Sequence, residues 1–225
     1  MDLARLAMLQ LADSAFPSGA YTLSHGLETL VADGLVRDAD ELAGALEVAL
    51  VSRLARADLP ALLAAWDALD LEPVLTVDRR LWAAKLSREE RAASARVGRR
   101  LAVEAGRLAD APLLAAFGDA VTDGRTPGNA AVALGLAGRA LGIGRRDTAL
   151  MAGYGFANGV LSAALRLGRI GHGEVQRQLR EAGPLIVAAV DRAETIDPAE
   201  LFPCAPIFDV ALARHETAPV RLFAT

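Results

Sequence analysis

Ser87-Arg-Glu-Glu-Arg-Ala-Ala-Ser-Ala-Arg-Val-Gly-Arg-Arg-Leu-Ala-Val-Glu-Ala-Gly-Arg-Leu108 decides the fold class. Its first four residues form a capping box, in which a serine and a glutamate three positions later satisfy free N–H groups at a helix start. Ala93, Val97, Leu101 and Leu108 then mark an apolar stripe, and Arg88, Arg91, Arg96, Arg99, Arg100 and Arg107 occupy the other face. This is an amphipathic helix needing a hydrophobic neighbour. With Glu89, Glu90 and Glu104 nearby, the arginine face reads as solvated, an acidic partner being its other use.

The same grammar extends in both directions. Leu3, Leu6, Leu9 and Leu11 predict a short helix ending near Asp13, and Gly19 to Ala32 a second, closed by Asp33-Gly34. Asp38 with Glu41 repeats the capping pattern, and Leu42, Leu46, Ala49, Arg53 and Leu54 keep helical spacing up to Pro60, which fits the first turn of a helix through Leu69. Val77 to Lys85 is a shorter one bearing Trp82. Downstream, Thr126-Pro127 opens a helix through Leu141 and Asp147-Thr148 another through Leu167. Both are rich in Gly and Ala, which let backbones approach closely, so they are expected to pack on each other at the centre. Gly171-His-Gly173 precedes a helix through Glu194, broken at Gly183-Pro184. Ile207 to Glu216 is a last short helix within a segment, 197–225, made partly irregular by Pro198, Pro203 and Pro206.

The reading is an all-α, single-domain helical bundle over residues 1–225, with about ten helices and Gly/Ala-rich helices at its centre. Composition agrees: 53% of residues are hydrophobic but only 4% aromatic, and the apolar set is dominated by Leu and Ala. Lys and Arg total 24 against 28 Asp and Glu, a net charge of -4, which argues against nucleic acid as partner. The single Cys204 excludes an intrachain disulfide, and Met1-Asp-Leu-Ala-Arg5 lacks the pattern of a signal peptide, so a cytoplasmic location is expected. Thr148 to Leu165 is uncharged, but Gly153, Tyr154, Gly155, Asn158, Gly159 and Ser162 mark it as a helix buried in protein rather than membrane. The apolar tail Val220-Arg-Leu-Phe223 needs a surface, in its own core or on another protein.

Chemistry-bearing residues are few. The segment Asp13 to Glu28 combines a Pro17-Ser18-Gly19 break with hydroxyls, His25, Gly26 and a carboxylate. His25 and Glu28, three apart, would share a helix face and exchange a proton, the basis of an alternative reading as a small helical hydrolase or lyase. An ordinary polar pair is the plainer reading, because no nucleophile with an orienting base accompanies them. His25, His172, His215 and Cys204 show no metal-ligand spacing, so no metal site is expected within one chain. Gly135-Leu-Ala-Gly-Arg-Ala-Leu-Gly-Ile-Gly144 has neither a preceding strand nor a Gly-Lys-Ser/Thr ending, so it is no nucleotide loop.

Three blocks together resemble the urease accessory protein F (UreF) family. They are Leu9-Gln-Leu-Ala-Asp13-Ser-Ala-Phe-Pro17-Ser-Gly19-Ala-Tyr21 with Ser24-His-Gly26-Leu-Glu28; Ser87-Arg-Glu-Glu90-Arg91 with Ser94, Gly98 and Arg99; and Pro206-Ile-Phe-Asp209-Val with Arg214-His215-Glu216 and Arg221-Leu222-Phe223. Arg166-Leu-Gly-Arg-Ile-Gly171 with Gln176 adds length to the match. The resemblance implies a non-enzymatic, all-helical chaperone joining a UreD-type partner (also called UreH) and a nickel-carrying UreG-type GTPase. That assembly delivers nickel to apo-urease, with homodimers inside the complex, nickel handled transiently and no stably bound cofactor. It implies partner-binding roles for Tyr21, Ser24, Glu28, Arg214, His215, Glu216, Arg221, Leu222 and Phe223. For Asp13, Pro17, Gly19, Gly26, Glu90, Arg91, Gly98 and Asp209 it implies structural roles. Many members carry a histidine where this chain has Leu23, and a Gly-His pair where it has Gly128-Asn129, so no role tied to those histidines is carried over.

Overall fold

The computed structural model describes residues 2–225, and among these there are twelve α-helices and no strand. They are α1 (Asp2–Ala12), α2 (Leu27–Ala32), α3 (Ala39–Val48), α4 (Asp58–Asp67), α5 (Leu71–Ala84), α6 (Arg88–Gly106), α7 (Pro112–Thr122), α8 (Ala130–Ala140), α9 (Arg145–Arg166), α10 (His172–Glu181), α11 (Gly183–Ala193) and α12 (Pro206–His215). A π-helical stretch, Ala49–Arg53, continues α3 before a short 3-10 turn at Leu54–Arg56.

Helix α6 starts where its sequence says. Ser87 Oγ accepts the Glu90 N–H at 3.3 Å, and Ala93, Val97, Leu101, Ala102 and Ala105 are buried. The capping box is only half made, because the Glu90 carboxylate turns to Arg53 and Lys85 rather than back to Ser87. Leu108 lies beyond the helix end and is half exposed. The arginine face is partly employed by the chain itself: Arg100 Nε donates to the Pro17 carbonyl at 3.2 Å, and Arg96 reaches Thr22 Oγ1 at 3.5 Å.

Helix α8 runs along α4 and α6 and meets α9 at one end. Its glycines mark the closest approaches. A Cβ at Gly135 would stand 2.3 Å from the Leu62 carbonyl of α4, and one at Gly138 2.4 Å from Thr148 Oγ1 of α9. The expected packing of α8 on α9 is therefore present at Gly138, while the longer contacts of α8 go to α4 and α6. Helix α9 is long and apolar enough to cross a membrane by length and composition, yet half of its most apolar window is buried against protein neighbours.

The helix expected over Val77 to Lys85 begins six residues earlier, at Leu71, and α7 is a helix for which no start signal was read. Two further helix starts come later than expected. The helix opened by Thr126-Pro127 begins at Ala130, because Thr126 Oγ1, Gly128 N–H and Asn129 N–H all donate to the fully buried carboxylate of Asp78 on α5 and hold 126–129 as a loop. The helix expected over Gly19 to Ala32 divides into a 3-10 turn at Ala20–Thr22 and α2 from Leu27. His25 (φ 56°) and Gly26 (φ 89°) are both left-handed there, and no right-handed helix passes through such residues.

Candidate functional site

That left-handed corner separates the two residues expected to form an acid/base pair. His25 turns inward and packs its ring on Phe156 of α9 at a centroid distance of 4.6 Å, where burial pushes its imidazole down to about 4. Glu28, in the first turn of α2, faces the C-terminal segment. Its carboxylate accepts the Leu222 N–H at 2.8 Å and the Phe223 N–H at 3.1 Å, and lies 3.1 Å from His215 Nε2. Glu28 therefore anchors the chain end rather than sharing a proton with His25.

Around this anchor the first and last sequence blocks meet. His215, 1% exposed at the end of α12, also places Nδ1 2.6 Å from Glu89 of α6. Both ring nitrogens thus face carboxylates, and these lie at opposite edges of the ring, so they do not converge on a common point. Arg221 pairs with Glu89, and Arg214 with Asp33 at the end of α2. Glu216 accepts the Arg88 N–H at 2.8 Å and the Glu89 N–H at 3.3 Å. It is a second cap on α6, in place of the glutamate that the capping box lost, and these N–H bonds pull its carboxyl below the usual range against the opposing effect of burial. Ser24 donates through Oγ to the Thr225 carbonyl, which also accepts the Ser24 N–H at 3.1 Å. The Arg166 guanidinium lies 4.2 Å from the ring centroids of both Tyr21 and Phe223. Every residue expected to bind a partner thus sits in one cluster. Within it His215 and Phe223 are buried, and Leu222 is 70% exposed.

The expected structural residues surround the cluster. Asp13 Oδ1 accepts the Ala15 N–H at 2.7 Å to start the turn that Pro17 and left-handed Gly19 continue. A Cβ at Gly26 would sit 3.3 Å from Leu212 of α12, and one at Gly98 only 2.2 Å from the Gly128 carbonyl. Arg91 donates to the carbonyls of Lys85 and Leu86 and lies over the Trp82 ring. Leu23 is buried beside Ala93 and Val97, and Asn129 is buried with its amide on Asp78 and Ser94. Both replaced histidine positions therefore face α6 from inside.

Beneath the cluster runs a chain of charges, the buried cations Lys85 and Arg53 alternating with the partly buried carboxylates Asp58, Glu90 and Asp209. Lys85 Nζ lies 2.8 Å from Asp58 and 3.3 Å from Glu90, and Arg53 spans Glu90 at 2.8 Å and Asp209. Burial alone would raise the Glu90 pKa, but Lys85 and Arg53 outweigh it and hold the carboxyl at about 2. Burial would also lower Lys85, and Asp58 and Glu90 outweigh it so that its pKa rises. Arg53, Asp58 and Lys85 carry no motif. The one legible sign was Arg53 standing on an apolar register, since a charge on an inward face requires a buried partner. Arg53, Asp58, Lys85 and Glu90 of this chain of charges, together with His25, line a cavity of about 550 Å³ under residues 13–21. Among the described residues no three His, Cys, Asp or Glu side chains come together as a metal site.

Comparison with known proteins fits this layout. The UreF family model matches residues 36–183. The chain is 34% identical over 221 residues to the urease accessory protein UreF of Yersinia enterocolitica, an alignment covering 97% of this chain and 96% of the relative. The proteins of the same name from Yersinia pseudotuberculosis and Yersinia pestis match with the same identity and coverage. These alignments extend beyond the family-model match at both ends, taking in nearly the whole chain. The chain belongs to the UreF family.

Proposed function

We propose that this protein is a non-enzymatic accessory factor in urease maturation. It joins a UreD-type partner and a UreG-type GTPase to apo-urease and modulates GTP-dependent nickel delivery, nickel being cargo of the assembled complex. The observation that carries this reading is the 34% identity, along 97% of the chain, to proteins named urease accessory protein UreF. The test is reconstitution with the suspected partners and apo-urease, scoring nickel-dependent urease activity with and without this chain. Equal activation in its absence would overturn the reading.

The contact with the UreD-type partner uses the C-terminal segment. Arg214, Arg221 and Leu222 offer exposed surface, and His215, Glu216 and Phe223 hold that surface in place from within. Deleting Val220 to Thr225 is expected to leave a helical protein that no longer co-purifies with the partner. Retained co-purification would remove the tail from the interface. A homodimer forms within the complex, and light scattering of the reconstituted assembly tests that copy number.

A further inference from the structure

Helix α6 distributes its charges unevenly. Of its three glutamates, Glu89 turns to His215 and Arg221, and Glu90 turns to Lys85 and Arg53. The carboxylates that would neutralise a solvated arginine face are thus folded inward, and Glu104 alone stays with it. Arg88, Arg96, Arg99, Arg100 and Arg107 remain exposed, and Glu104 and Glu216 are the carboxylates paired with them among the described residues. Five positive charges against two negative leave a surplus of three on one face of a chain whose net charge is -4. Arg99 has no hydrogen bond or ion pair among the described residues, and Arg96 has only its 3.5 Å contact with Thr22. Arg88, Ala92, Arg96, Arg99, Val103 and Arg107 follow one another at steps of three or four residues, a stripe of roughly 28 Å along the helix. Arg221 ties the tail to Glu89, so the exposed Val220 and Leu222 adjoin the N-terminal end of that stripe.

We propose that this stripe is a docking surface for a folded protein partner that presents a row of carboxylates, with Val220 and Leu222 at its apolar end. A planar guanidinium pairs with a carboxylate through two parallel hydrogen bonds, and it is weakly hydrated, so it gives up little on docking. A surplus charge on such a face steers the encounter and fixes its register. Three other occupants fit worse. A second copy related by a two-fold axis through the stripe would set arginines against arginines. A nucleic acid would meet repulsion from the rest of an acidic chain, and α6 carries no aromatic side chain on which a base could stack. A membrane surface needs a broad apolar flank beside the basic one, and α6 buries its apolar side in the bundle. The surface belongs to this chain; only the naming of its partner as a member of the maturation complex rests on the proposed function.

The test compares the full-length chain with the double variant Arg96→Glu/Arg99→Glu and with Arg169→Glu/Arg180→Glu, a charge-matched pair of exposed arginines outside α6. Both variants should keep the parent's circular dichroism and melting temperature, because the altered side chains are on the surface. One probe is labelled poly-L-glutamate with the isolated chain; the other is the UreD-type and UreG-type partners in the reconstituted complex. The parent is expected to bind each with an affinity that falls as salt rises. The α6 variant should lose about tenfold in affinity and most of that salt dependence, and the charge-matched variant much less. Equal losses in the two variants, or none in either, would overturn the stripe. Tighter binding of an oligouridylate than of poly-L-glutamate, abolished in the α6 variant, would overturn a protein as the occupant. Unchanged affinity of the α6 variant for both partners overturns the docking surface and leaves the proposed function standing. If neither partner associates with the parent, the proposed function fails and the poly-L-glutamate comparison decides the stripe.

Discussion

At Gly98 a methyl group would meet the Gly128 carbonyl oxygen at 2.2 Å, and neither backbone can yield, since 126–129 is pinned by Asp78. Gly98→Ala is expected to destabilise by ~1–3 kcal/mol or more, the range for overpacking a filled site. Gly44, inside α3 with nothing within 4 Å of its missing Cβ, is the contrast: Gly44→Ala should stabilise by ~0.5–1 kcal/mol. Urea unfolding of both variants checks the pair, and a Gly98→Ala protein as stable as the parent would remove the close-approach explanation. Asp78→Asn follows the same logic. It turns an acceptor-only carboxylate into a group whose NH2 must face the donors Thr126, Gly128 or Asn129, at an expected cost of ~1–3 kcal/mol in the same assay. The sequence marked Gly98 as a motif position without saying why. The reason is a carbonyl on a loop thirty residues downstream, and no local pattern encodes that.

Among elements, caps and periodicity were legible and boundaries were not. Ser87 and Asp38 cap the helices they announce, and Pro184 sits in the first turn of α11. α2 and α8 start late because the left-handed corner at His25-Gly26 and the Asp78 anchor overrule local propensity. The site was legible as two lists of residues but not as one cluster, since Glu28 and His215 lie 187 positions apart and nothing in either block points to the other. The charge chain joins α4, α6, α12 and the stretches at Arg53 and Lys85, so its worth lies in fixing how those elements meet. Glu90→Gln leaves Lys85 with Asp58 and Arg53 with Asp209 but removes the carboxylate they share, and is expected to cost ~1–3 kcal/mol. Arg177→Ala, which breaks an exposed pair set on α10, should change stability by less than ~1 kcal/mol in the same denaturant series. Comparable losses from the two would mean that the chain of charges does not brace the bundle.

For the molecule as a whole, these buried groups fix the direction of acid sensitivity. His25 is held at about 4 against an ordinary 6.5, by burial first, with Lys85 and Arg53 adding to it and Glu90 and Asp58 opposing. Between those two values the unfolded chain carries a proton on His25 and the folded chain does not. Unfolding then takes up protons, and stability falls as pH drops from about 6.5 to about 4. Glu90 is depressed from 4.5 to about 2, so its contribution is complete above 4.5 and is lost as pH falls toward 2. The melting temperature of the wild-type chain should therefore decline in two overlapping stages. His25→Asn keeps a residue that tolerates the left-handed backbone and cannot titrate, so it should flatten the upper stage while leaving the lower one in place. Calorimetry from pH 7 to pH 3 on both proteins decides it. An unchanged slope between pH 6.5 and 4.5 in His25→Asn would show that the histidine is not held neutral in the cavity, and that the acid response arises from the carboxylates alone.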